Sequence, residues 1–342
     1  MLMTFDRRRW LIAGTFGIVA SSWLLLSSGP VLSDWRLPLM WLPGFGTPMS
    51  ELEQTVVTQL RLPRLVLGLL VGAVLAQSGT AMQTLCRNPL ADPGLIGISG
   101  GAAVFALAVI ALGEQIGIQG SIWVSLAAFL GALLTTFVVY RLAGGKTGVD
   151  VATLLLAGVA INALAGSLLG LLSYYADDDA LRLMSFWQMG SLAGASWQQL
   201  PLGIVLMGVS SIALFMLRKP INTLLLGERQ ARYLGVNTVS LKRQLIIWVA
   251  LGVGGAVALT GMIGFVGLII PHIARMLVGA NIRWLMPVSM LFGAAVLVLT
   301  DWIAKTIVAP AELPIGIITA AVGAPFFIYL LIQQKRRLHA GY

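Results

Sequence analysis

The chain has 342 residues, of which 58% are hydrophobic and only 10% are charged, and its mean hydropathy is +0.91. Soluble proteins carry about 25% charged residues, so this composition excludes a soluble globular fold and indicates a protein whose solvent is the lipid bilayer. The net charge of +9 does not indicate a nucleic-acid partner, because the location of the charges matters more than their sum, and the single cysteine excludes an internal disulfide and a multi-cysteine metal site.

The N-terminal segment RRRWLIAGTFGIVASSWLLLSSG (7–29) has the basic and apolar parts of a signal peptide. It lacks a clean A-x-A cleavage site and further apolar segments follow it, so we predict a first span that is retained. Ten segments approach the roughly 20 apolar residues that cross a bilayer. They lie near residues 10–28, 62–82, 94–112, 119–141, 152–174, 198–217, 243–261, 265–280, 284–303 and 314–333.

The basic residues test this count of ten spans. The clusters RRR (7–9) and QKRR (334–337) fall on the same side only if the number of spans is even, and most of the 22 Lys and Arg residues then share that side. Cytoplasmic loops carry an excess of Lys and Arg. The sequence therefore predicts an all-α membrane protein, a single domain over residues 1–342, with both termini in the cytoplasm.

The eighth segment is the weakest of the ten. Pro271, His272 and Arg275 interrupt its apolar run, which indicates either a broken helix or a partly re-entrant segment.

The stretch AGGKTG (143–148) resembles the end of a phosphate-binding loop. That loop needs a glycine at position 140, where this chain has Tyr140, and it follows a strand rather than a membrane span. We therefore predict a short, flexible cytoplasmic turn between spans four and five instead of a nucleotide site.

Other catalytic or metal-binding patterns are weak. The run Asp177-Asp178-Asp179 is better explained as a solvated loop than as a metal site, because no ordered ligand spacing accompanies it. The two histidines lie far apart, and no nucleophile–base or paired-carboxylate pattern stands out. The sequence thus predicts no catalytic residues, no metal ligands and no enzymatic activity.

Two spans carry small and polar residues at helical spacing. In the fifth span Gly158, Asn162, Gly166 and Gly170 are four residues apart and are predicted to share one helix face. The last span repeats the pattern, with Gly316, Thr319 and Gly323. Such a face is either a packing seam between helices or the lining of a wide, weakly polar path.

The longest cytoplasmic segment joins spans six and seven, and its central part covers residues 220–240. It is too polar to cross the bilayer, and Leu226, Ala231 and Leu234 can form an apolar face on one or two short helices. Periodicity alone leaves two alternatives, an amphipathic helix lying on lipid and a docking element for a cytoplasmic partner.

Several of these segments resemble the FecCD/BtuC-type permeases of ABC importers. The resemblance lies in RLPRLVLGLLVGAVLAQSGTAMQTLCRNPLADPGLIGISGGA (61–102), LLLAGVAIN (154–162), LGERQARYLGV (226–236), GFVGLIIPHIAR (264–275) and ELPIGIITAAVGAPFFIYLL (312–331), and it covers essentially the whole chain in order. It implies a type II ABC importer permease of ten helices, which forms a homodimer in the bacterial inner membrane. It also implies two cytoplasmic ATPase subunits, which bind ATP-Mg in place of this chain, and a periplasmic substrate-binding protein.

The resemblance also implies roles for particular residues. Residues 220–240 would be the coupling segment, which contacts the ATPase, and the contact is expected at Gly227, Glu228, Arg229, Ala231, Arg232, Leu234 and Gly235. The fifth and tenth spans would line the translocation path, at the seven small and polar positions named above. The turn between spans four and five would form the cytoplasmic gate, with Lys146, Thr147, Asp150 and Thr153. Exposed basic residues would pair with carboxylates of the binding protein, at Arg61, Arg64 and Lys305.

The cargo is the least determined feature. The family imports haem, iron-siderophores or cobalamin, and overall similarity favours haem, then a ferric siderophore, then cobalamin. His272 is interpreted as structural rather than as a haem ligand. The alternative function is an ion-coupled secondary transporter, which usually keeps an ionisable residue at mid-membrane; Asp301 comes nearest to that and lies close to the end of a span.

Overall fold

The fold is almost entirely helical. A computed structural model describes residues 7–29, 33–41, 49–145 and 148–339. Its helices are α1 (Arg7–Ser27), α2 (Glu51–Thr55), α3 (Leu62–Leu85), α4 (Ile98–Leu112), α5 (Ser121–Ala143), α6 (Val151–Tyr175), α7 (Asp178–Met189), α8 (Leu200–Met216), α9 (Arg218–Leu224), α10 (Glu228–Tyr233), α11 (Thr238–Thr260), α12 (Val266–Val278), α13 (Ile282–Thr306) and α14 (Ile315–His339).

Each of the ten predicted spans coincides with a helix, although not all of these helices are long. Six described helices are long and apolar enough to cross a membrane, or seven if α8 and α9, which are bent by 58° relative to each other, form one span. Three further apolar helices, at Ile98–Leu112, Val266–Val278 and Ile315–Leu330, are shorter. The third span is shorter than predicted because the left-handed backbone of Gly97 precedes α4. The eighth is shorter because the left-handed backbone of Phe265 precedes α12 and Gly279, with a φ of 82°, ends it. Ten spans thus remain a prediction.

Helix α3 lies at the centre of the bundle. In its most apolar stretch 78% of the residues are buried, and it packs against α8, α11, α12 and α13. Glycines permit the closest of these approaches: a Cβ at Gly79 would overlap the carbonyl oxygen of Gly267 on α12, and one at Gly72 would overlap that of Gly293 on α13. Small residues at such crossings let helix backbones approach closely in the membrane.

Helices α1 and α6 lie at the periphery, with 22% and 17% of their most apolar stretches buried. Helix α1 packs along α13, where Gly14 is close to Leu291 and Gly17 to Ala295. Each of these helices leaves most of its surface to lipid or to a partner.

Two short elements differ from the sequence predictions. The AGGKTG stretch contains strand β1 (Gly144–Gly145) and the start of strand β2 (Gly148–Val149). The two strands form an antiparallel pair in which Gly144 is paired with Val149. The acidic run at 177–179 was predicted as a solvated loop and instead begins α7, because the Asp177 side chain accepts a hydrogen bond from the Ala180 N–H and caps the helix. Helix α12 is one helix of 13 residues that contains Pro271.

Candidate functional site

The coupling segment folds into α9, α10 and the turns around them. Gly227 precedes α10 and Gly235 follows it, each with a positive φ (118° and 82°), so these turns have the backbone angles that favour glycine. Ala231 is buried, whereas Leu234 is 61% exposed and Tyr233 is 89% exposed. The predicted apolar face is therefore divided: Ala231 anchors the short helix, and apolar groups beside it remain open to a partner.

A cluster of charged side chains fastens α10 to the start of α11. One carboxylate oxygen of Glu228 accepts a hydrogen bond from Arg232 at 2.8 Å, and the other pairs with the Lys242 ammonium at 2.7 Å. Arg232 also donates to the Thr238 hydroxyl at 2.8 Å. Burial alone would raise the pKa of Glu228, but the hydrogen bonds and charges of Lys242 and Arg232 outweigh it and hold this pKa below its ordinary value.

Lys242 extends this cluster to the turn between α5 and α6. Its ammonium donates to the backbone carbonyl of Val149 in β2 at 3.0 Å, and its side chain is 10% exposed. One turn earlier on α11, Val239 packs against Gly148. The coupling segment and strand β2 are thus bound to the same face of α11.

The gate residues lie partly outside the described part of the chain. Lys146 and Thr147 are not among the described residues. The Asp150 carboxylate accepts hydrogen bonds from the backbone N–H of Thr153 at 2.8 Å and from its hydroxyl at 2.7 Å, which caps α6 and lowers the pKa of Asp150. Strand β2 therefore leads directly into the capped first turn of α6.

A cleft of about 450 Å³ joins these parts. It is lined by the end of α3, the start of α6 and the coupling segment, through residues that include Arg87, Asp150, Glu228, Arg229 and Lys242. The cleft thus combines predicted gate and predicted coupling residues in one surface.

The predicted path residues of α6 do not share one environment. A helix turns about 100° per residue, so positions four apart drift by about 40° at each step. Gly158 is packed against the backbone at Leu95, and the Asn162 amide donates to the Gly94 carbonyl at 3.3 Å. Gly166 and Gly170 have nothing within 4 Å of the place that a Cβ would occupy. Gly158 therefore lies in a packing seam between helices, whereas Gly166 and Gly170 lie on an open surface.

Helix α14 is packed at both of its predicted glycines. A Cβ at Gly316 would overlap the Met189 carbonyl oxygen, and one at Gly323 would overlap the Phe265 ring. The Thr319 hydroxyl donates within its own helix, to Gly316 O at 3.2 Å. That the exposed side of α14 lines the translocation path remains a prediction.

The predicted docking residues point into the protein. Arg61 is buried and donates to the Leu26 carbonyl, and Lys305 is buried and donates to the Leu25 carbonyl at 2.8 Å. These carbonyls belong to the last turn of α1, where backbone oxygens lack helical partners. Arg61 and Lys305 were expected to be exposed and are instead buried, because both cations are engaged by α1. Their docking role stays a prediction.

Arg64 forms ion pairs with carboxylates of its own chain. Its Nε lies 2.7 Å from Asp301 on α13, which is 0% exposed, and its Nη1 lies 2.9 Å from Glu312 in the loop before α14. The guanidinium makes two hydrogen bonds to Asp301, in the bidentate geometry that arginine provides. Arg64 therefore links α3, α13 and the approach to α14.

Sequence reasoning missed Lys242, Glu312 and the partner of Asp301. No role was predicted for Lys242, which lies in the polar segment between spans six and seven. Among the described residues no group of three or more His, Cys, Asp or Glu side chains could hold a metal ion.

Known proteins resemble this chain over nearly its whole length. The model of the FecCD transport family matches residues 17–333. The hemin transport system permease protein HmuU of Yersinia pestis is 43% identical over 294 residues, which are 86% of this chain and 88% of that protein. The vitamin B12 import system permease protein BtuC of Klebsiella pneumoniae is 40% identical over 330 residues, 96% of this chain and 95% of that protein. A solved structure described as an inward-facing conformation of a putative metal-chelate type ABC transporter has a TM-score of 0.83 at 33% identity, and the match covers 95% of this chain and 99% of that one.

Proposed function

The chain belongs to the FecCD transport family, and we propose that it is the permease subunit of an ATP-driven importer whose cargo is haem. The observation that carries this proposal is the family match over residues 17–333. A permease of this family with several apolar helices is a multi-pass protein of the bacterial cytoplasmic membrane.

The energy for import comes from partner subunits. In the proposed assembly two copies of this chain form a homodimer, and two cytoplasmic ATPase subunits, which bind ATP-Mg, dock on the coupling segments. The exposed side chains of Tyr233 and Leu234 on a short, anchored helix support this assignment, because large apolar groups held rigidly at a polar surface suit a protein partner. Glu228 and Arg232 would hold that helix in shape, with Arg229 beside them on the cleft.

A mid-membrane ion site has little support among the described residues. Asp301, the residue nearest to such a site in sequence, is occupied by Arg64 in a buried ion pair. A carboxylate that is neutralised by a fixed arginine is poorly suited to bind and release a coupling ion. This favours an external source of energy over ion coupling.

Haem is the first choice of cargo. The relative that is named for hemin is 43% identical to this chain over 294 residues, and another relative, named for cobalamin import, is also 43% identical over 293 residues. Percent identity therefore does not rank these two cargoes, and the uptake assay below decides between them. Haem, a ferric siderophore and cobalamin are all bulky, and the open surface at Gly166 and Gly170 suits a wide path between two copies of α6. A periplasmic binding protein delivers the cargo at the end of the bundle where Arg64 and Glu312 lie.

The proposal is tested by uptake into proteoliposomes that contain this chain, its ATPase and its binding protein. ATP-dependent accumulation of haem, above that of a ferric siderophore and of cobalamin, is the expected result. Preferred uptake of either other cargo overturns the choice of haem. Accumulation by this chain alone, driven by an ion gradient, overturns the importer proposal itself.

A further inference from the structure

Lys242 is a buried cation that belongs to neither the coupling segment nor the turn before α6, yet it contacts both. Its ammonium lies 2.7 Å from Glu228 in the coupling segment and 3.0 Å from the Val149 carbonyl in β2. An ammonium carries three donors and no acceptor, so one group can hold two acceptors from separate segments at the same time.

We propose that Lys242 is a positioning residue that transmits movement of the coupling segment to β2 and to the first turn of α6. This inference rests on the proposed function, since it concerns the step by which ATP hydrolysis on a partner moves this chain. Lys242 itself contacts neither ATP nor cargo.

The charges and the burial around Lys242 carry the argument. Hydrogen bonds that involve an ionised group are shorter and roughly twice as strong as neutral ones. The Lys242 side chain is 10% exposed, so water does not readily replace either acceptor. A shift of Glu228 therefore pulls the ammonium, and the ammonium pulls the Val149 carbonyl.

The backbone after Val149 provides the next step. The Asp150 N–H is bonded to the Ala143 carbonyl at 3.2 Å, and the Asp150 carboxylate caps α6 through Thr153. Movement of β2 thus passes along the backbone from Val149 through Asp150 to the first residue of α6, the helix that carries Gly166 and Gly170.

Arg232 cannot replace Lys242 in this role. Its bonds go to Glu228 and Thr238, so they close the coupling segment on itself and on the start of α11. Among the described side chains, Lys242 is the one recorded with bonds both to Glu228 and to β2.

The test compares variants of the whole complex, with ATPase and binding protein, in proteoliposomes. Lys242→Met keeps the length of the side chain and removes its charge, and import per ATP hydrolysed is expected to fall about tenfold, because one charged hydrogen bond is worth roughly that factor. Lys242→Arg retains the positive charge and the N–H donors, and it should keep most of the wild-type import per ATP hydrolysed. Arg243→Met removes an exposed cation at the next position and is the matched control.

A double variant separates transmission from simple structural support. If Lys242 acts through Glu228, Glu228→Gln combined with Lys242→Met lowers import per ATP no further than Lys242→Met alone. Additive losses overturn the proposal, and so does an unchanged ratio in Lys242→Met. If the Lys242→Met complex does not assemble, Lys242→Gln takes its place, because its side-chain amide can still donate to the Val149 carbonyl. Import per ATP hydrolysed is then expected to be lower than in the wild type but not lost. A wild-type ratio in Lys242→Gln again overturns the proposal. Failure of the wild-type complex to import with ATP is a different result, which contradicts the proposed function.

Discussion

At the scale of single residues, ionic groups at the two ends of the bundle join segments that are far apart in the chain. Arg64 and Asp301 are separated by 237 residues, and Lys242 and Val149 by 93. Both pairs are largely removed from water, where a charge without a partner is costly. Replacing one partner of such a buried pair is therefore expected to lower the stability of the protein more than replacing both partners.

Arg64→Met is expected to lower the free energy of unfolding by about 3 to 5 kcal/mol, because it leaves the Asp301 carboxylate buried without its counter-charge. Unfolding of the purified protein in detergent measures this. The double variant Arg64→Met/Asp301→Leu should recover much of the loss. A double variant as unstable as the single one would contradict the interpretation, and Arg182→Met, at an exposed position on α7, is the control.

Glu228 makes a pH-dependent contribution to stability. Its pKa in the folded protein lies below the ordinary value of 4.5, so the contribution is complete above pH 4.5 and is lost as the pH falls through the lower, folded pKa. The difference in thermal stability between wild type and Glu228→Gln should therefore persist at neutral pH and shrink only in acid below 4.5. Scans across this range measure it, with Glu114→Gln as the control for loss of a surface carboxylate. A difference that disappears between neutral pH and pH 5 would contradict the assignment.

At the scale of elements, hydropathy located the membrane helices well and their ends less well. Predicted span 152–174 became α6 (Val151–Tyr175), whereas predicted span 265–280 became the 13-residue α12. Apolar composition does not show that the backbone departs from helix at Phe265 and Gly279, which bound α12. Helix α7 was missed because an acidic run was interpreted as a loop, although Asp at an N-cap followed by acidic residues in the first turn is itself a helix-start pattern.

In the candidate site, too, features that depend on local sequence were predicted, and contacts between distant segments were not. The coupling segment and its glycines were located from local sequence, since turns depend on adjacent residues. The link from Lys242 to Val149 and the inward orientation of Arg61 depend on contacts between distant helices, which no local pattern records. The four-residue spacing on α6 also misled, because its drift turns Gly170 away from the packed side on which Gly158 lies.

The crossing of α3 and α12 gives an element-scale prediction. Gly79→Ala should destabilise the protein by about 1 to 3 kcal/mol, because the added methyl group overlaps the Gly267 carbonyl and forces the helices apart. Gly208→Ala on α8, where nothing lies within 4 Å of the new methyl group, is the matched control and should be neutral or slightly stabilising. Thermal unfolding of both variants in the same detergent decides the matter, and equal effects would contradict the packing.

At the scale of the whole molecule, the bundle has a tightly packed centre at α3 and an open flank at α6. The exposed surface of α6 carries large apolar side chains such as Leu156, and it also has two open small positions, Gly166 and Gly170. The exposed surface of α5 carries large apolar side chains such as Leu134, and its glycine, Gly131, is packed against α4. Large apolar side chains suit lipid. Small ones suit a partner helix or a wide path, which makes α6 the flank on which a second copy is expected.

Cysteine labelling distinguishes these two flanks. In a Cys86→Ser background, Gly166→Cys in the assembled complex should react with a water-soluble maleimide faster than Leu134→Cys does, because the thiolate forms only where water reaches it. The rate should change with the nucleotide bound to the ATPase if the path opens and closes. Equal, slow labelling at both positions would contradict a path along α6.

The attachment of α1 to α13 has a consequence for biosynthesis. The Lys305 ammonium that holds the end of α1 follows its acceptor, the Leu25 carbonyl, by 280 residues. At about 5 to 20 residues per second, the ribosome reaches Lys305 on the order of 15 to 60 seconds after Leu25. Throughout that interval the first helix to enter the bilayer waits without its principal neighbour, so a nascent chain stalled before α13 presents an unassembled α1 to insertion factors and membrane proteases.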